Sequence, residues 1–294
     1  MPDPGASPAL PGPLRQLLAQ VAQIYFQSSA FAGLVIIAAL AIVRPWAAVG
    51  MLWASLVALA VARLTRLDRT AGESGLYGYN AALTGAGLLS MFRPEPRVFV
   101  CLTLVSGLAA LLSARWLRWG RLPPLTLQFV VAMWGALWLG DALGGTLELA
   151  GCPDGAAIVP CGIGQVTFIA GALPGLCVWA ALAWFAPLAG LWLGIGAALG
   201  GLGGLLGAEA QAIGLAVNVG LTAQALTVFG RGFVVRIIGA MVAAGLCLLC
   251  ARLELPYFTL PFNLATWTLL GLSTAPAAPA SAMSGSPGPG LDEN

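Results

Sequence analysis

GLYGYNAALT, residues 75–84, and GLAVNVGLT, residues 214–222, are the stretches on which the fold turns. Each places Gly-Leu before an Asn and Leu-Thr after it, with one residue fewer before Asn218 than before Asn80. They open short apolar runs, at 79–92 and 219–231. Both runs fall below the ~20 residues that carry a helix across a bilayer. A Gly-containing segment with a carboxylate, Glu73 or Glu209, precedes each run. Short, interrupted apolar segments at matching places in two halves mark a transport site between internal repeats.

Two further pairs lie outward from these. Gln23-Ile-Tyr-Phe26 matches Gln165-Val-Thr-Phe168, and the Leu-Pro-x-x-Thr-Leu-x-Phe ending at Phe129 matches the one ending at Phe262. The three motifs keep one order in both halves. Chance similarity between apolar runs would not preserve polar Gln, Asn and Thr in sequence.

Composition gives the environment. Of 294 residues, 59% are hydrophobic and 8% charged, against roughly 25% charged in soluble domains. A polytopic membrane protein in the lipid bilayer is the class that fits. A net charge of +2 implies no nucleic-acid partner. His is absent, which excludes His-based acid–base catalysis and His metal sites. No metal and no cofactor is implied, and an enzyme reading lacks a clustered catalytic set.

Spans are read at 26–43, 46–63, 79–92, 96–114 and 124–140, then 165–184, 187–206, 219–231, 233–250 and 258–272. The expected organisation is a disordered tail over 1–14, a first membrane repeat over 15–140 and an external loop over 141–161. A second repeat over 162–272 and a disordered tail over 273–294 follow. With the N-terminus in the cytoplasm, nine of the thirteen Arg lie inside, as the positive-inside rule expects. Five spans per half is odd, so the second half enters upside down and the repeats are inverted. The fold class expected is all-α, an integral membrane protein of two inverted repeats. The loop would face an oxidising compartment, where Cys152 and Cys161 can pair across CPDGAAIVPC; two unpaired cysteines are the alternative.

Polar groups inside spans cost free energy unless satisfied or wet. Structural helix–helix hydrogen bonding is the plain explanation for any one of them. Gln23 with Phe26, and Gln165 with Phe168, are spaced to share a helix face. An aromatic ring beside an amide acceptor suits a planar, polar, uncharged solute; packing aromatics with a capping Gln is the alternative. Thr126 and Thr259 follow Leu-Pro, where freed carbonyls and hydroxyls can line a wet path, or where Thr caps a helix. Leu83 and Leu221 would form apolar wall opposite them. Asp and Glu fall at span ends or in loops, and no phosphate-binding Gly-Lys loop is present, so passive conduction remains.

Together the motifs resemble those of the urea transporter family, the facilitative urea channels. The strongest likenesses are GIGQVTF at 162–168, DRTAGESGLYGYN at 68–80 and LPYFTLPFNLAT at 255–266. The resemblance covers roughly residues 15–272 and implies five spans plus one re-entrant helix per half, with a central pore in each protomer of a homotrimer. It implies passive flow of urea or a close analogue across the bacterial inner membrane, by a multi-pass protein of the plasma membrane. In that reading Gln23, Phe26, Leu83, Thr126, Gln165, Phe168, Leu221 and Thr259 line the pore. Another small neutral solute, such as a short amide, ammonia or water, is the alternative in the same fold. The chain departs from the family pattern at Gln27-Ser-Ser-Ala30, at Ile169-Ala-Gly-Ala172 and at Gln128, where Pro is usual.

Overall fold

A computed structural model describes residues 12–120, 122–145, 151–152, 157–205 and 211–272. Every regular element among them is helical. In chain order these are α1 (Gly12–Ala22), α2 (Ala30–Val43), α3 (Pro45–Leu64), α4 (Arg69–Glu73), α5 (Tyr79–Met91), α6 (Pro96–Trp119) and α7 (Leu127–Trp138). Then follow α8 (Ile158–Gln165), α9 (Ala172–Phe185), α10 (Pro187–Leu205), α11 (Ala212–Val228), α12 (Phe233–Arg252) and α13 (Leu260–Leu272). Among the described residues, α3, α6 and α12 are long and apolar enough to cross a bilayer singly. The bent pair formed by α1 with its 3₁₀ turn (Gln23–Tyr25) and α2 makes a fourth span if taken as one. The protein is a multi-pass membrane protein.

Local chemistry sets the helix ends. Proline occupies the first turn of α3 and α6, where its missing N–H is no loss. Ser29 caps α2 by accepting from Ala32 N, and Asp68 caps α4 by accepting from Ala71 N. Gly120, at φ 69°, ends α6 in the left-handed conformation that suits glycine.

Two departures from the sequence reading matter for the site. The first spans of each half do not begin at 26 and 165. An additional helix precedes each, α1 and α8, and the chain turns between them; α1 and α2 meet at 79°. Helix α1 begins at Gly12, inside the stretch expected to be a tail. The rest of that tail, the tail at 273–294, Glu209, and residues 146–150 and 153–156 of the inter-repeat loop lie outside the described residues. At the edge of that loop Cys152 and Cys161 form a disulfide, with Cα atoms 5.8 Å apart.

Helices α5 and α11 follow the two quoted stretches and form the centre. Every residue of α5 is buried, and so is α11 from Leu215 to Leu226. Small residues let their neighbours approach: a Cβ at Gly85 would stand 2.1 Å from the Gly50 carbonyl oxygen, so α3 and α5 cross backbone to backbone. The outer helices turn Trp53, Leu104, Trp138, Trp184 and Phe233 outward. An apolar exterior around a core holding buried Gln, Asn and Thr is what lipid surroundings require.

Candidate functional site

The quoted asparagines act as clamps. Leu125 and Phe258 stand just before α7 and α13 with φ of 46° and 45°, so their carbonyls leave the helical path. Asn80 Nδ2 donates to the Leu125 carbonyl at 2.9 Å, and its Oδ1 accepts from Phe129 N at 3.2 Å. Asn218 does the same for Phe258 O and Phe262 N, at 2.9 and 3.0 Å. A single buried amide thus satisfies both an orphan carbonyl and an orphan helix N–H. Thr84 and Thr222 donate back to the carbonyls of the same asparagines.

What the clamps hold in place is a pair of threonines. Thr126 and Thr259 stand just ahead of α7 and α13, and their hydroxyls meet at 2.7 Å. Thr126 occupies the N-cap position of α7, but its side chain makes no capping hydrogen bond; its hydroxyl serves the contact between the halves instead. Asn263 fixes it further, its Oδ1 accepting from Thr126 N at 2.9 Å and its Nδ2 donating to Thr126 Oγ1 at 3.1 Å.

Three residues after each threonine comes a phenylalanine. Phe129 meets Phe168 with centroids 6.1 Å apart, and Phe262 meets Phe26 at 6.2 Å. Each pair joins one half to the other, and both are edge-to-face at 69°. Phe229 adds a third ring against Phe26 and Phe258 one against Phe129. Phe26 and Phe168 reach these positions because the chain turns left-handed there, at φ 60° and 62°, their N–H groups donating to the carbonyls of Gln23 and Gln165. They therefore do not share a continuous helix face with Gln23 and Gln165, as the spacing suggested; the backbone turn comes between.

Gln23 is buried, and in the orientation that satisfies its neighbours its nitrogen donates to the carbonyls of Gln27 (3.0 Å) and Ser74 (3.3 Å). Gln165 is half-buried at the end of α8. Leu83 and Leu221 are fully buried on α5 and α11 in the apolar core. The structure thus brings together the threonine pair and the two aromatic pairs, with the glutamines at the chain turns leading to them. Of the anticipated residues none is ionisable. Glu73 turns away to an exposed ion pair with Arg69 at 2.7 Å. No group of three or more His, Cys, Asp or Glu able to hold a metal occurs among the described residues.

Phe129, Phe262 and Asn263 join this cluster, although the sequence alone does not single them out. Phe129 and Phe262 recur at one register after the threonines, a signal that was present. Asn263 has no counterpart in the first half, where Val130 stands at that register.

The family model for the urea transporters matches residues 14–274. Urea transporter 1 of Rattus norvegicus is 31% identical over 129 residues, covering 40% of this chain and 32% of the relative. Urea transporter 1 of Ovis aries is 30% identical over the same shares. The chain thus spans about a third of the length of the curated relatives it matches.

Proposed function

The chain belongs to the urea transporter family, a family of transporters and not of enzymes, and from that premise we propose that it conducts urea passively through a pore lined by the residues above. The observation that carries the reading is the contact of Thr126 with Thr259 at 2.7 Å, flanked by two aromatic pairs that each draw one ring from either half. Two elements related by a two-fold axis touch at equivalent residues only on that axis. Tyr25 and Thr167 occupy equivalent places beside Phe26 and Phe168, and their hydroxyls also lie in contact, at 3.3 Å. Two such contacts support inverted repeats about a central axis, with a re-entrant element in each half.

The threonines form the narrowest polar point, and the aromatic rings border the path on both sides of it. Leu83 and Leu221 supply apolar wall. The oxygens of Gln23 and Gln165 accept N–H groups as the solute arrives. A route without ionisable side chains repels ions, since a charge in a low-dielectric passage is costly. Urea, flat and uncharged, exchanges its water for oxygens and ring surface. The protomer assembles as a homotrimer in a bacterial inner membrane, each copy with its own pore.

Stopped-flow light scattering on proteoliposomes tests this. Urea gradients are expected to relax faster with protein than without, with no effect of protonophores. Gln165→Ala and Phe168→Ala should each slow the relaxation while the purified oligomer keeps its size. Unchanged flux in both variants sends these residues back to simple packing, and permeation of ammonia or water without urea replaces the solute.

A further inference from the structure

Helices α6 and α7 leave a membrane-facing cavity of about 360 Å³ between them, lined by apolar side chains such as Val105, Leu108, Leu112 and Val131, and by one amide, Gln128. The matching seam in the second half is tighter. There α13 packs along α12 more extensively than α7 packs along α6, and Ala240, Ala243 and Ala265 fill it together with Val219. Pro261 occupies the place in α13 that Gln128 holds in α7.

Gln128 is 9% exposed, and neither its Nε2 nor its Oε1 has a hydrogen-bond partner within the chain. A buried amide without partners is costly in any apolar setting. Proline at the same register would have avoided that cost. From Gln128 to Leu139 the groove follows α7 for roughly 16 Å at the helical rise, about half of the ~30 Å hydrocarbon thickness, or one leaflet. Gln128 and Trp116 stand at one end, next to the exposed Arg115 and Arg118 that mark a water interface.

We propose that this groove binds a monoacyl glycerophospholipid, its single chain in the groove and Gln128 hydrogen-bonded to its ester carbonyl and its free glycerol hydroxyl. The Gln128 amide, closed off while the groove is empty, turns toward the lipid, whose ester carbonyl accepts from Nε2 and whose glycerol hydroxyl donates to Oε1. The chain then lies along Leu112, Leu108 and Val131. Because Thr126 stands just ahead of α7 and Phe129 on its first turn, the lipid braces the helix that shapes the threonine contact. The site concerns the bilayer side of α7 and holds whichever solute passes on the other side.

The test uses the full chain in phosphatidylcholine vesicles with a trace of lysophosphatidylcholine carrying a diazirine on its acyl chain. This probe has both an ester carbonyl and a free hydroxyl. After photolysis and peptide mapping, adducts are expected to concentrate on α6 and α7 over α12 and α13. Excess unlabelled lysophosphatidylcholine should displace them. Gln128→Leu should lower α6–α7 labelling about thirtyfold, the factor that two net hydrogen bonds confer, with α12–α13 labelling unchanged. Gly135→Phe, which fills the groove two turns from the amide at a position where an added Cβ meets nothing within 4 Å, should abolish the adducts and serves if Gln128→Leu folds poorly. Even labelling of both seams overturns the proposal, as does labelling indifferent to both substitutions. Disulfide-linked protomers formed through Val131→Cys would also overturn it, by showing that a second copy fills the groove.

Discussion

Replacing the two clamp asparagines by leucine should destabilise the protein unequally, and the hydrogen bonds say by how much. Leucine keeps most of the volume of asparagine and removes only the amide. In Asn218→Leu two buried groups lose the partner that holds them, the Phe258 carbonyl and the Phe262 N–H. In Asn80→Leu the Phe129 N–H loses its acceptor, but the Leu125 carbonyl keeps a second donor, Tyr79 Oη at 2.7 Å. Each buried group left unsatisfied costs ~1–3 kcal/mol. The expected losses are therefore ~2–6 kcal/mol for Asn218→Leu and ~1–3 kcal/mol for Asn80→Leu. Tyr79→Phe alone should be mild, because Asn80 still serves Leu125. Combined with Asn80→Leu it should bring the total to the Asn218→Leu level, a non-additivity that marks a shared partner. Unfolding midpoints of the purified variants in mixed micelles with increasing dodecyl sulfate measure the series. Equal losses for the two asparagines, or additive behaviour of Tyr79 and Asn80, would refute the argument that these side chains work by satisfying the backbone ahead of α7 and α13.

Gly175→Ala should abolish stable folding, because its Cβ would stand 1.9 Å from the Pro160 carbonyl oxygen where α8 crosses α9; the amount of monodisperse protein recovered after extraction checks this, and near-normal recovery would mean the crossing can open. The Cys152–Cys161 bond closes a short loop, so reduction should lower stability by at most ~2–3 kcal/mol. Differential alkylation before and after reduction checks the bond itself: modification of both residues in unreduced protein contradicts it.

Much of this arrangement was written in local sequence, and what was not has a physical cause. The low charge and the apolar runs specify a membrane protein, because lipid tolerates few unpaired charges. The recurring Gln, Asn and Thr specify which residues matter, because buried polar groups are expensive and are kept only where they find partners. Their partners were not legible. Asn80 reaches a carbonyl 45 residues away, and Thr126 a hydroxyl 133 residues away; such distances along the chain are set by how helices pack, which no local pattern reports. The turns after Gln23 and Gln165 were missed for a different reason. Spacing of three residues reads as one helix face, yet Phe26 and Phe168 adopt left-handed backbone without being glycine. The second half of each motif carries the explanation: Phe26 lies against Phe262 and Phe168 against Phe129, so ring contacts with the opposite half hold a conformation that the local sequence disfavours. Gln128 shows the same lesson in reverse. As a departure from the family pattern it was visible at once, but only the open seam between α6 and α7 reveals that the substitution leaves an amide facing no partner of its own chain.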